Sequence, residues 1–350
     1  MHVDKNIILT VDYHLKNIEV RWLNCLTGEE RTLNCATSRK AVLALVDRAC
    51  KEAVAAGGKV VWVMESTTGW ARVQELIRDR AAFVLCNVLQ MPLAPKAHRR
   101  KTDAIDTARM QREYLNGEMP RAYQPPRWLR ELRRLVAIRE DLVHRRTQVR
   151  NWVSSYLSHE TWEGAKGLWT KAGKVRLEGL AQAAGEIDGF CLRMRVGELE
   201  HIGVAIRQVE DKMMELYDQC PQAQKLDRIR GIGPVSALCM WARIGPAARF
   251  KNAEQVIAYA GLAPGVRTSD DTRRNGRIGG GGTDALLRRM VIEASMWARQ
   301  IPRYTQTYHR TCAKHGKKVA RLVVSRLLLR SIFKVLRDEV EFNPVGSAAA

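Results

Sequence analysis

Residues 59–66 read Lys-Val-Val-Trp-Val-Met-Glu-Ser, five consecutive apolar side chains closed by a carboxylate. A run without polar alternation has no face to give to water. A strand built from it must be covered on both sides, as central parallel strands are. The flanks agree with that reading. Before it, residues from Ser38 to about Ala56 carry Val42, Leu45, Val46, Ala49 and Val54 at helical spacing, and Gly57-Gly58 stops the helix. After it, Thr-Gly-Trp-Ala-Arg-Val-Gln-Glu-Leu-Ile-Arg-Asp-Arg reads as helix and residues 82–88 as another strand. Residues 7–14 and 18–25 alternate like a hairpin, and Arg-Thr-Leu-Asn-Cys adds a third short strand. A helix carrying Asp103 and Asp106 closes the region.

The resulting order, βββαβαβα, is that of an RNase H-like (RuvC-like) α/β fold, a mixed sheet with helices on both faces. It is expected over residues 1–122. The character then changes to all-α. From 123 to 220, Leu132, Leu135, Leu142, Val149, Val153 and Tyr156 keep a spacing near 3.5, as do Leu192, Val196, Leu199, Ile202, Ile206, Val209, Met213 and Leu216. Two such helices, joined through a Gly- and Trp-containing connection at about 158–187, predict an antiparallel coiled-coil arm. From 221 to 342 a helical domain is expected. It contains a Gly231-Ile-Gly233 turn of helix-hairpin-helix type, a loop rich in Gly, Arg and Asp over 264–282, and helices near 284–299 and 317–338. Residues 343–350 read as a disordered tail.

The 350 residues carry a formal net charge of +21. From Lys225 to Arg337 there are 23 Lys and Arg against 6 Asp and Glu, so most of the excess lies in the last third. A basic excess of this size implies a polyanionic partner, and nucleic acid leads. No apolar run approaches the ~18 residues of a membrane span, and the opening residues lack the tripartite pattern of a signal peptide. The eight cysteines show no zinc spacing. A cytoplasmic protein with no membrane association is the expectation.

Asp12 interrupts an otherwise apolar strand, where a lone carboxylate is costly unless paired or metal-bound. Glu65 ends the second buried run, at the carboxyl edge where a parallel strand presents ligands. Asp103 and Asp106, three apart, share a helix face. In an RNase H-like sheet these elements converge, and four carboxylates are hard oxygen ligands suited to Mg²⁺ or Mn²⁺. Such ions assist phosphodiester chemistry by clamping the attacking and leaving oxygens.

The stretches Thr-Val-Asp-Tyr-His, Val-Met-Glu-Ser-Thr-Thr-Gly-Trp and Arg-Arg-Lys-Thr-Asp-Ala-Ile-Asp-Thr-Ala-Arg-Met resemble the D, E and DxxD motifs of DEDD transposases of the insertion-sequence-110 type, kin to the Piv/MooV DNA invertases. The likeness continues through Ile-Arg-Gly-Ile-Gly-Pro-Val-Ser-Ala, Ala-Tyr-Ala-Gly-Leu-Ala-Pro-Gly-Val-Arg-Thr-Ser and Gly-Lys-Lys-Val-Ala-Arg-Leu, similar to that family's C-terminal transposase domain. The segment 158–187 matches no motif of the family.

The resemblance implies a DNA transposase or recombinase with Asp12, Glu65, Asp103 and Asp106 as catalytic metal ligands. It also implies a serine nucleophile shortly after the Ala-Gly-Leu-x-Pro turn, which here is Ser269, with Thr268 and Thr272 as near rivals. Arg267, Arg273, Arg274 and Arg277 would neutralise phosphate around it. Gly231, Gly233, Lys317 and Lys318 would grip nucleic acid. The implied partners are donor and target DNA, a guide RNA from the element's noncoding end, and further copies of the chain in a dimer or tetramer. Residues 279–282 are Gly-Gly-Gly-Gly where the family commonly has Ser/Thr-Lys-x-Gly, and Asp270 and Asp271 follow the serine directly. A metal-dependent nuclease like the RuvC junction resolvases, or a non-catalytic nucleic-acid-binding protein, are the other readings of the same charge and carboxylates.

Overall fold

The computed structural model describes residues 6–91, 103–160, 166–263, 266–269, 272–275, 278–280 and 282–345, with the side chains of 89, 103, 104, 266–269 and 272–275 left outside that description. The chain divides into two compact units, Met1–Gln124 and Pro125–Ala350.

The first unit is a mixed sheet between two helical layers. Its elements are β1 (Ile7–Tyr13), β2 (Asn17–Asn24), β3 (Glu30–Ala36), α1 (Arg39–Ala55), β4 (Val60–Glu65), α2 (Trp70–Ile77), β5 (Ala82–Cys86) and α3 (Asp103–Leu115). The strand order is β3-β2-β1-β4-β5. β2 is antiparallel to β1 and β3, while β4 is parallel to β1 and β5. Strand residues alternate between the faces, so both faces of β1 and β4 need apolar cover. On one face Leu9, Val11, Trp62 and Met64 pack with Val42, Val46 and Ala49 of α1 and Val73 and Ile77 of α2. On the other, Ile8, Val61, Val63, Val84 and Cys86 pack with Met110 of α3 and with Met91 and Met119. Ser38 caps α1, its Oγ accepting from the Ala41 amide at 3.1 Å.

The second unit is helical. α4 (Arg127–Glu160) and α6 (Glu186–Tyr217) have 34 and 32 residues, so each runs for about 50 Å. They pack along one another in opposite directions. Val149 meets Ile202 and Ile206, Val153 and Leu157 meet Leu192, and Arg139 Nε donates to Glu210 Oε1 at 2.8 Å. The connection is not a plain linker, because α5 (Lys171–Ala183) forms within it, capped by Thr170, and packs its Leu177 and Ala181 into the α4–α6 seam.

α7 (Pro221–Asp227), α8 (Pro234–Ile244), α9 (Ala253–Tyr259), β6 (Val266–Ser269), β7 (Thr272–Asn275), α10 (Ala285–Ala298) and α11 (Pro302–Arg337) follow. α8 is the central helix here, with Ala237, Leu238, Cys239, Met240, Trp241, Ala242 and Ile244 all buried. Two segments differ from the sequence expectation. The stretch 264–282 contains an antiparallel ribbon, β6 with β7, instead of loop alone. The helix expected over 317–338 is present as the second part of α11, and a further helical part from Pro302 precedes it. That earlier part carries few aliphatic side chains and is anchored by buried Tyr304 and Tyr308, and Gly316 (φ 80°, ψ 169°) breaks it from the second part. At the end of the described chain the Arg303 amide donates to Pro344 O at 3.1 Å, and residues 346–350 lie outside the described residues.

The close approach of α5 to α6 depends on a missing side chain. A Cβ built on Gly189 would lie 2.4 Å from Ala181 O, the same oxygen that accepts from Arg193 Nη1 at 3.1 Å. Backbone oxygen cannot swing aside as a side-chain tip can. Gly189→Ala is expected to destabilise the fold by about 1–3 kcal/mol. A lower denaturant midpoint checks it, and Gly179→Ala, exposed in α5 with nothing within 4 Å, serves as the control and should be neutral to about 1 kcal/mol stabilising.

Candidate functional site

The first group of residues gathers at one end of the sheet. β1 pairs with β4 from Ile7↔Val60 to Val11↔Met64, and the next step along both strands places Asp12 beside Glu65. On its other side Asp12 pairs directly with Glu19 of β2. Three neighbouring strands, about 4.8 Å apart, thus each bring a carboxylate to the same edge. By alternation Asp12 belongs with Ile8 and Glu65 with Val61 and Val63, on the face that α3 covers. Asp12 is buried, and His14 Nε2 stands 3.4 Å from its Oδ2.

α3 lies across this polar corner. Thr107 is buried, with its Oγ1 donating to Glu19 Oε1 at 3.5 Å. One turn on, Gln111 Nε2 donates to Glu30 Oε1 at 3.1 Å, and Arg21 Nη2 reaches Glu30 Oε2 at 2.6 Å. Asp106 is half-buried, adjacent to Thr107 and one turn before the buried Met110. Asp103 opens α3, and its side chain lies outside the described residues. Beside Glu65 in register, the Cys86 thiol is pushed up to about 11, by burial first and by the Glu65 charge second, with Arg109 of α3 opposing. Glu19, Thr107 and Arg109 are absent from the sequence reading. Thr107 sits four residues after Asp103 and was discoverable as the next position on the same helical face.

Among the described residues no group of three or more His, Cys, Asp or Glu side chains is drawn together as a metal site. The carboxylates at the corner are hard oxygen donors, with the His14 imidazole and the Cys86 thiol beside them, and Thr10 Oγ1, one pleat from Asp12 on the same face, is buried without a hydrogen-bond partner among the described residues. The carboxylate oxygens fit a hard divalent cation.

The second group lies in the helical unit. Ser269 ends β6 and pairs with Thr272, and Asp270 and Asp271 between them lie outside the described residues. Thr268 pairs with Arg273 and Arg267 with Arg274, while Arg277 is outside the described residues. Both roots of this ribbon are pinned by one buried acid. Asp284 takes Arg243 Nε at 2.6 Å and Tyr259 Oη at 3.1 Å on Oδ2, while Oδ1 caps α10 by accepting from the Leu287 amide at 2.9 Å. Arg249 stacks over Phe250 and Tyr259, at 4.3 and 4.7 Å from their centroids. Gly279 donates its amide to Gly261 O at 2.9 Å, the Arg288 guanidinium lies close against both, and their φ of 78° and 69° favours glycine at either place. The capping signal of Asp284 ahead of an apolar helix is legible in sequence, but its link to Arg243 is not.

Gly231 (φ 96°) turns the chain from α7 into α8, and a Cβ there would meet Ala294 O and Trp297 Cβ at 2.8 Å. Gly233 precedes Pro234 at the start of α8. Lys317 and Lys318 are exposed just after the Gly316 break.

A DEDD-type IS110 model described as transposase matches residues 11–160, and the model of the IS116/IS110/IS902 transposase family matches residues 223–310. The chain belongs to the IS110 family of transposases. Putative transposase y4rJ of Sinorhizobium fredii is 28% identical over 236 residues, covering 61% of this chain and 59% of the relative. Putative transposase y4pF/y4sB of the same organism is 25% identical over 175 residues, covering 48% and 43%. A probable family 20 transposase of Pseudomonas aeruginosa is 30% identical over 107 residues, 31% of each chain. The chain thus spans about half the length of the curated relatives it matches. In this IS110-family chain the first match holds Asp12, Glu65, Asp103 and Asp106, and the second holds Gly231, Gly233, Ser269 and the four arginines. Lys317 and Lys318 fall beyond it. Among the described residues no helix is long and apolar enough to cross a membrane.

Removing the buried Asp284 leaves Arg243 uncompensated and α10 uncapped. Asp284→Ala is expected to cost about 3 kcal/mol of stability, and Asp284→Asn clearly less, because its amide oxygen still accepts from Leu287. Denaturant unfolding of the two variants checks the order.

Proposed function

We propose that this chain is a DNA transposase that breaks and rejoins strands through a covalent link to Ser269, and that the corner holding Asp12 and Glu65 assists that chemistry with bound Mg²⁺ or Mn²⁺. The strand order β3-β2-β1-β4-β5 supports an RNase H-like, RuvC-like fold for the first unit. The observation that carries the reading is the register of β1 and β4, which sets Asp12 beside Glu65 on the face under α3.

Asp12, Glu65, Asp103 and Asp106 would hold the cation, which when bound stabilises charge on the attacking and leaving oxygens. The rest falls to the protein. The Ser269 hydroxyl gives up its proton and its Oγ attacks phosphorus. A P–Oγ bond forms, one P–O bond of the strand breaks, and the freed strand hydroxyl takes a proton. Attack by another strand's hydroxyl reverses these changes, restores a phosphodiester and returns the serine, so no nucleotide hydrolysis is needed. Arg267, Arg273, Arg274 and Arg277 would neutralise the phosphate. The turn through Gly231 and Gly233 would present backbone N–H groups to a DNA phosphate, with Lys317 and Lys318 adding charge.

The organisation proposed is a metal-binding domain over 1–122, a coiled-coil arm over 123–220 and the serine-bearing domain over 221–342. The antiparallel packing of α4 on α6 supports the arm. The family resemblance extends the proposal to a guide RNA encoded by the element's noncoding end and to a homodimer or homotetramer.

Denaturing electrophoresis of the protein with donor DNA and Mg²⁺ tests this. A covalent protein–DNA species should form and should disappear in Ser269→Ala, with a loss of ~10³-fold or more in strand exchange. Nicking that survives Ser269→Ala but is lost in Asp12→Ala contradicts the serine chemistry and favours a hydrolytic, resolvase-like nuclease.

A further inference from the structure

A groove between α4, α5 and α6 is built from Arg139, Arg146, Arg150, Lys174, Arg207 and Trp169, with Glu200 and Glu210 on its α6 wall. Its cavity volume is about 590 Å³, within the range of small-ligand sites. Two of the five cations are neutralised internally, Arg139 by Glu210 at 2.8 Å and Lys174 by Glu200 at 3.5 Å. Arg146, Arg150 and Arg207 have no carboxylate partner among the described residues. Arg146 and Arg150 stand one turn apart on α4, a repulsive spacing for like charges, and the Nε of each is buried without a hydrogen-bond partner. Burial, and then the Arg146 charge, loosens the hold of Arg150 on its proton. The Arg150 guanidinium lies 5.0 Å from the centroid of the half-buried Trp169 ring.

Folding alone does not favour two like charges one turn apart, each with a buried and unmet Nε–H; an anion between them would relieve both the repulsion and the unmet N–H groups. The aromatic ring beside them adds a surface for a planar group. Cations lining a groove next to an aromatic platform form the combination that holds unpaired nucleic acid, whose bases are free to stack as those of a duplex are not. We propose that this groove is a binding subsite for a single-stranded nucleic-acid segment, with Arg146, Arg150 and Arg207 on its phosphodiesters and a base against Trp169. The proposal rests on the nucleic-acid part of the reading above and is independent of Ser269 and of the carboxylates.

Fluorescence anisotropy of the full chain with short labelled single-stranded DNA, single-stranded RNA and duplex DNA, each titrated with salt, tests it. Arg146→Gln/Arg150→Gln should weaken single-strand binding about tenfold or more near 0.1 M salt, and should lower the log–log salt slope by about 1.5–2. Trp169→Ala should weaken single-strand binding severalfold and leave duplex binding nearly unchanged. Arg145→Gln removes one positive charge from α4 outside the groove, where Arg145 pairs with Asp141 at 2.9 Å, and should change affinity less than about twofold. The RNA and DNA arms identify which strand the groove prefers.

Equal losses in Arg145→Gln and in the double variant, or an unchanged salt slope, overturn the proposal. So does a nucleoside monophosphate that competes as well as the strand. Unaltered nucleic-acid affinity with a changed sedimentation coefficient overturns it in favour of a protein occupant. If circular dichroism shows the double variant unfolded, Arg207→Gln on α6 carries the same test with a slope change of about one. Ser269→Ala should keep groove binding while losing the covalent species, so failure of either proposal is separable from failure of the other.

Discussion

Parallel pairing of β1 with β4 holds the first unit together and places its chemistry. Each strand is apolar on both faces, so neither can lie at a solvent-exposed edge, and the hydrogen-bonded register leaves no freedom to slide. A slip by one residue would exchange the faces, driving Asp12 and Glu65 among the side chains under α1 and α2. The same constraint that buries Trp62 therefore brings two acids to one end of the sheet, under α3. The polar contacts of Thr107 and Gln111 with Glu19 and Glu30 then fix where α3 lies on β2 and β3.

The helical unit solves a different problem. The short ribbon of β6 and β7 lies in sequence between α9 and α10, which are tied to one another. One buried carboxylate, Asp284, serves Arg243, Tyr259 and the first turn of α10 together. Removing a single atom group there would release three elements. Gly261 and Gly279 admit the Arg288 guanidinium to the same root, which accounts for part of the glycine density that reads in sequence as loop. The four-glycine stretch that departs from the family's usual residues thus includes two positions, Gly279 and Gly282, whose φ of 78° favours glycine.

Much of the first unit was legible because its burial is simple. Strands such as 60–65 have one pattern and one explanation, and the order of strands and helices follows. The α11 segment from Pro302 was harder. Its anchors, Tyr304 and Tyr308, are four apart and aromatic among polar residues, a spacing too sparse to read as a periodic face. The ribbon at 266–275 was hidden by arginines, since its strands are too short and too charged to alternate visibly. α5 was obscured by glycine, although Gly173 and Gly189 are there to permit close backbone contact and not to make a linker. Among the candidate residues, Asp12 and Glu65 stood out because a carboxylate in an apolar strand is conspicuous, and Asp103 and Asp106 by their spacing on one helix face. Glu19 did not, because an acid in an alternating strand looks like a solvated face.

The account turns on whether the β1–β4 register makes one cation site from Asp12 and Glu65. Titration of the full chain with Mn²⁺, followed by calorimetry alongside electron paramagnetic resonance, measures this directly in wild type, Asp12→Asn and Glu65→Gln. The expected result is binding in the wild type that either substitution weakens by about tenfold or more, with the double variant no worse than additive losses at one shared site allow. Mn²⁺ binding that is indifferent to both substitutions would contradict it.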